Sequence, residues 1–370
     1  MVKIYKIGIG IITVLIVIII AITLNKSNEV EEETISIGGV FHLSGEGAFW
    51  GTGELNGANL ALEEINSQGG INGKKLVLIV EDSETNFVKT VNAIQKLVNT
   101  DNLQVIIGPT WFAQAASPLA EQLKVLMISP SGGVILEPSK YFFSLWPTEK
   151  QEVLPIIKHM KEHNVKKVVV IYSLNDWSES VKNNFLEEAR KNGISIGESF
   201  PTDPDEDDFR TIITKIKKTN SDAIFAPFAF YPSQGAFNKQ AKEFELNLQI
   251  YSPSGTENPM LLKAFPGIEG TIYGYPQIDE QEAEFRKKYT AKFSIEASPP
   301  ASYGYDALQL IASALREGKT TPEEIAQYLS SIKEYDGISN TISFDSKGRV
   351  TDKGYVPKTV ENGKFIRITE

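Results

Sequence analysis

Residues 35–82 read as strand, turn, helix and strand, and a βαβ unit of that kind commits a chain to a parallel α/β sheet. The turn holds Gly45, Gly47, Gly51 and Gly53, with Phe49 and Trp50 among them. Glycine lets backbone approach a neighbour closely, and the carboxyl ends of strands in an open α/β sheet are where ligands bind. Leu55, Ala58, Leu62 and Ile65 then recur at helical spacing, which predicts a helix with that stripe on the sheet, stopped by Gly69 and Gly70.

The βα rhythm continues. Apolar runs at Val105–Ile107 and Val125–Ile128 predict strands, the first ending at Gly108-Pro109 and the second at the turn Ser129–Gly133. The stretch GVFHLSGEGAFWGTGELNGANLALEEINSQGGINGKKL resembles the amino-terminal signature of the type I periplasmic binding proteins, in their branched-chain amino acid and amide group. IIGPT, LMISPSGG and Tyr305-Asp306-Ala307 match later signatures of that family in order. The resemblance covers residues 35–370. It implies two Rossmann-like lobes with parallel central sheets, joined by three crossovers near Trp146, Ser254–Gly270 and Ser339. The first lobe is expected at 35–147 with 275–338, the second at 148–274 with 339–370.

Composition agrees with two lobes, since 370 residues at 41% hydrophobic content exceed one ordinary core. A net charge of −10 without a basic stripe leaves nothing for a phosphate backbone, so no nucleic-acid partner is expected. The absence of cysteine excludes disulfides, thiol catalysis, Cys-type zinc sites and a lipid-modified cysteine anchor. An anchor is expected instead at residues 1–24, where Ile7–Leu24 gives 18 uncharged residues, enough to span a bilayer. Lys3 and Lys6 precede this run and Glu29, Glu31, Glu32 and Glu33 follow it, which places the amino terminus inside and the bulk of the chain outside. A cleaved signal peptide is the alternative, although Ala21-Ile22-Thr23 matches a cleavage site poorly. Residues 25–34 read as a polar linker.

Six strand-end loops, three per half, would face one another across a cleft. They offer Phe49 and Trp50; Thr110, Trp111 and Phe112; Ser131, Gly132 and Gly133; Asn175, Asp176 and Trp177; Phe228–Tyr231; and Ser254–Glu257. An aromatic at a strand end is commonly core packing, but several converging on one cleft point to a binding site. The family resemblance implies that hydroxyls and amides of the first-lobe loops hold an α-carboxylate and that an acid in the last second-lobe loop holds the ammonium. That acid's position falls on Ser254, so Glu257 or Asp176 would have to replace it. Trp177 and Tyr231 fall at or beside positions whose aromatics cover the ligand. The expected ligand is a small amino acid, an amide, a urea-like molecule or a small carboxylic acid, and the implied partner is an ABC permease. A sensing ectodomain acting through a partner is the alternative reading.

His159-Met160-Lys161-Glu162-His163 has a zinc-peptidase spacing. Its helix has an apolar stripe at Val153, Ile156, Ile157 and Met160, so both histidines are expected on the outer side, without a third ligand and without a metal. His42 reads as packed rather than reactive. No G-x-S-x-G elbow, Walker loop or dinucleotide glycine spacing is present, so neither an enzyme nor a cofactor is expected.

Overall fold

The computed structural model describes residues 33–339, 341–351 and 354–369. In the first lobe β1 (Thr34–Phe41), α1 (Ala48–Ser67), β2 (Lys75–Asp82), α2 (Phe87–Asn99), β3 (Val105–Ile107), α3 (Ala113–Leu123), β4 (Leu126–Ser129) and β5 (Phe142–Ser144) alternate. Their strands form one parallel sheet in the order β2-β1-β3-β4-β5. The second lobe takes up α4 (Glu149–Glu162), β6 (Lys167–Ser173), α5 (Asp176–Lys191), β7 (Ser195–Thr202), α6 (Arg210–Ile216), β8 (Ala223–Phe225), α7 (Tyr231–Glu243), β9 (Gln249–Ser252), α8 (Pro259–Ala264) and β10 (Ile272–Pro276). The chain then returns to the first lobe with α9 (Glu280–Phe293), α10 (Ala301–Arg316), α11 (Pro322–Ser331), β11 (Tyr335–Asp336) and β12 (Thr341–Ile342). Finally β13 (Tyr355–Glu361) and β14 (Lys364–Arg367) complete the second sheet, ordered β14-β13-β10-β9-β8-β6-β7, with an antiparallel edge from β10 outward.

Strand β6 shows why this sequence makes a doubly covered sheet. Val168 and Val170 pack with Phe185 and Phe225 under α4 and α5, while Val169 and Ile171 pack with Phe209 and Phe237 under α6 and α7. Both pleat faces are therefore apolar, as burial between two helical layers requires. Helix starts follow their side chains: Asn86 caps α2, Asn175 caps α5, and Thr148 with Gln151 forms a capping box on α4.

The passages expected near Ser254–Gly270 and Ser339 fall later than those positions, the first of them within two residues of the expected boundary at 274. Residues Ser254–Gly270 stay with the second lobe, because β10 pairs in parallel with β9 and antiparallel with β13; the chain leaves only after Pro276. Nor does it leave the first lobe at Ser339. Ile342 and Val350 belong to the first core, Ser144 donates its amide to Gly348, and Val350 donates its own to Ser144. Asp306 fixes the approach to this segment by accepting the amides of Ile338 and Ser339. The expected anchor at 1–24 and nearly all of the linker lie outside the described residues. Among the described residues no helix is long and apolar enough to cross a membrane.

Candidate ligand-binding site

Helix α1 begins almost on top of the end of β1. A Cβ at Gly51 would lie 2.2 Å from the His42 carbonyl oxygen, so only glycine allows this approach. The close start brings Trp50 over the sheet edge, where its ring lies 5.1 Å from Trp146 and 5.8 Å from Trp111. Trp111 and Phe112 both take left-handed backbone conformations, with φ of 54° and 48°. Two consecutive non-glycine residues in that region store strain, a recurrent property of binding loops. The conformation turns Trp111 toward the second lobe, 6.4 Å from Phe230. A second link crosses beside it, as Gln114 Nε2 donates to Asp176 Oδ2 at 2.9 Å.

Between these contacts lies a cavity of about 260 Å³ with walls from both lobes. Of the residues expected there, Trp50, Trp111, Phe112, Ser131, Gly132, Gly133, Asp176, Trp177, Tyr231 and Ser254 line it. Gln114, Val134, Trp146 and Asn258 line it as well and lay outside the segments expected to meet there, as does Glu46, from the glycine turn but not singled out. Glu46 and Asp176, both exposed, are its carboxylates, and among the described residues no lysine, arginine or histidine joins them.

Five expected residues are elsewhere: Phe49 and Phe228 pack against the lobe cores and Thr256 is fully buried, while Thr110 and Glu257 have partners of their own. Thr110 is fully buried beneath the wall, donating to Glu54 Oε2 at 2.5 Å and accepting the His42 amide at 3.3 Å. Glu257 points away from the cleft, bound to Lys358 Nζ at 2.5 Å and to the Tyr273 hydroxyl at 2.7 Å. Its loop does end a strand, but β13 and β10 supply partners that claim the carboxylate. Of the histidine pair, one differs from expectation. His163 is exposed, whereas His159 is buried, shares a hydrogen bond of 3.1 Å between Nδ1 and the Tyr251 hydroxyl, and stacks on His163 at 3.9 Å.

Two buried carboxyls behind the walls escaped the sequence reading. Glu54 bridges Thr110 and Ser131, its Oε2 accepting from the Thr110 hydroxyl and its Oε1 hydrogen-bonded to Ser131 Oγ. Burial pushes its carboxyl up to about 8 against the opposing pull of Ser131 and Thr110. In the second lobe Glu152 accepts the Ser254 amide at 2.6 Å, and burial, aided by the nearby charge of Glu149, pushes it up to about 7 despite that bond. His42 is held neutral, its imidazole pushed down to about 3 by burial, with Nδ1 2.7 Å from Ser83 Oγ. The only sequence signal for Glu54 is its spacing. It sits one turn after Trp50 and one before Ala58, on the buried stripe Trp50, Glu54, Ala58, Ala61, Ile65, while the expected Leu55 and Leu62 are only half buried.

A cavity shared by two doubly wound lobes suits capture of a small molecule, and comparison with known proteins agrees. The family model described as periplasmic binding protein matches residues 34–364. The chain belongs to the periplasmic binding protein family. Within it, the leucine-specific-binding protein of Salmonella typhimurium is 26% identical over 333 residues, covering 85% of this chain and 88% of its own. Among solved structures, a branched-chain amino acid transporter substrate-binding protein from Streptococcus pneumoniae, complexed with isoleucine, superposes with a TM-score of 0.82 at 25% identity, covering 91% of this chain and 99% of its own. A leucine-binding protein from Thermotoga maritima superposes at 0.83 with 21% identity, covering 90% and 98%. The chain is thus a type I periplasmic binding protein of the leucine-binding branch, a solute-binding rather than catalytic family.

Proposed function

We propose that this chain captures a small solute between its lobes outside the cytoplasm and delivers it to an ABC importer, tethered by the apolar run at 7–24. The observation that carries the reading is the aromatic cavity closed from both sides by Trp111 against Phe230 and Gln114 against Asp176. The relatives' names point to amino-acid-sized solutes; the lining of this cavity points to one with less charge. A buried, unpaired charge costs several kcal/mol. Ser254 stands where the resemblance implies the ammonium-binding acid, its amide is already taken by Glu152, Asp176 is engaged by Gln114, Glu46 stands at the exposed rim, and among the described residues no lysine, arginine or histidine lines the cavity to meet a solute carboxylate. An amide or another uncharged, largely apolar solute therefore fits better than a zwitterion.

Calorimetry with L-leucine, L-valine, isobutyramide and benzamide tests this. At least one amide is expected to bind more tightly than either amino acid. Trp177→Ala should weaken that binding by about fivefold to about a hundredfold, since one aromatic contact is worth on the order of 1–3 kcal/mol. Glu257→Gln should leave it unchanged. Leucine or valine outbinding every amide would contradict the reading.

A further inference from the structure

We infer that Glu54 is a positioning residue that sets the hydrogen-bond polarity of the first-lobe wall: as a neutral acid it frees the Ser131 hydroxyl to donate into the cleft, so the bound solute presents an acceptor oxygen there. The inference rests on the solute-binding reading of the cavity and adds what Ser131 asks of the solute.

The proton inventory leads to it. Thr110 Oγ1 accepts the His42 amide and commits its own proton to Glu54 Oε2. The other carboxyl oxygen, Oε1, meets Ser131, whose side chain lines the cavity. When Glu54 carries a proton on Oε1, that proton goes to Ser131 Oγ, and the serine hydrogen is left to turn toward the solute. When Glu54 is ionised both hydroxyls must donate to it, and Ser131 offers the cleft only lone pairs. Loss of the proton to solvent thus converts a donor into an acceptor without moving a heavy atom. An amide or acid carbonyl suits the first state and an N–H suits the second.

The surroundings favour the neutral state. Burial raises Glu54, and only the two hydroxyls oppose it. The titratable groups around α1 are otherwise engaged. Next to β1, His42 is neutral and bonded to Ser83. At the end of β2, Asp82 accepts from Leu43, Ser44 and Glu84, and Glu81 pairs with Lys96. On α10, Tyr305 donates to Glu64 and Asp306 binds the 338–339 amides, with Tyr303 buried beside them. On α9, Glu282 pairs with Arg286, Tyr289 binds Asn56, and Lys292 pairs with Glu63. Glu46 stands at the exposed rim.

The test combines difference infrared spectroscopy of the full chain against Glu54→Gln with calorimetric titration of benzamide and L-leucine into both, from about pH 6 to about pH 9.5. A protonated-carboxyl band is expected in the wild type at neutral pH, fading through about pH 8. Wild-type affinity for the probe that binds should fall about tenfold per pH unit above that point, because only the protonated form presents the donor. Glutamine can donate to one hydroxyl while accepting from the other, so the Glu54→Gln profile should be flat in pH, whereas Glu54→Leu should bind weakly at every pH. Binding with the same pH slope in Glu54→Gln, or no carboxyl band at neutral pH, overturns this inference alone. No binding of either probe to either protein overturns the solute-binding reading for these probes, and this inference with it.

Discussion

Gly57→Ala is expected to destabilise the chain by about 3 kcal/mol, read as a lowered urea midpoint. A Cβ at that position would lie 1.9 Å from the Ala301 carbonyl oxygen and 3.1 Å from the Tyr305 nitrogen. Both atoms are backbone of α10, so no rotamer change relieves the overlap. The facing glycine is equally constrained, since a Cβ at Gly304 would lie 2.1 Å from the Glu54 carbonyl oxygen. Helices α1 and α10 therefore meet backbone to backbone, and a methyl group must drive them apart. Because α1 carries Trp50 and Glu54, the displacement should also weaken solute binding. Gly197→Ala, whose Cβ finds nothing nearer than 3.4 Å, serves as the control and should cost less than about 1 kcal/mol. An unchanged midpoint for Gly57→Ala would show that the two helices are not packed this closely.

Thermal stability is expected to fall as pH rises from about 5.5 to about 8.5, which is unusual for an acidic protein. Glu54 and Glu152 have folded values of about 8 and about 7, against about 4.3 for an unfolded glutamate. The unfolded chain gives up these protons at lower pH than the folded chain does. Stability from this source is complete below about pH 4 and is lost as pH rises through each folded value, at about 1.4 kcal/mol per pH unit and group. The summed loss is on the order of several kcal/mol. Asp208 and Glu323 act in the opposite sense, but both are held down at about 2, so their stabilisation is already present at pH 5.5; His42, pushed down to about 3, also acts in the opposite sense and offsets part of the fall below about pH 6.5, where the two carboxyls outweigh it. Glu54→Gln should flatten the slope and give a higher Tm than the wild type at about pH 8.5. A wild-type Tm that rises over the same interval would mean that these carboxyls are charged in the fold.

The alternation of strands and helices was legible in the sequence because burial on both faces forces short apolar runs, as at Val105–Ile107 and Val168–Tyr172. The cleft aromatics were legible for a related reason, since strand ends in such sheets converge on one edge. What stayed hidden depends on partners distant in sequence. Glu257 was assigned to the cleft from its loop, yet Lys358, about a hundred positions later, pairs with it once β13 docks on β10. Glu54 lay outside the expected stripe Leu55, Ala58, Leu62 and Ile65, and its burial follows from Thr110, Ser131 and Gly304 closing round it. The last passage between lobes was misplaced because the 341–350 segment is held by bonds to Ser144, which no local pattern announces.

Closure of the two lobes on a solute is the central claim, and the lack of native cysteine makes it directly measurable, since engineered cysteines label uniquely. Val88, exposed at the start of α2 beside Phe87 and Phe112, and Asp205, exposed beside the start of α7, flank the cleft from opposite lobes. Spin labels at Val88→Cys and Asp205→Cys, read by pulsed dipolar spectroscopy, should report a long, broad distance distribution in the free protein. At saturation with the tightest-binding compound from the calorimetric panel, that distribution should shorten and narrow as ligand shifts the balance toward the closed form. A distribution unchanged at saturation would contradict capture by closure.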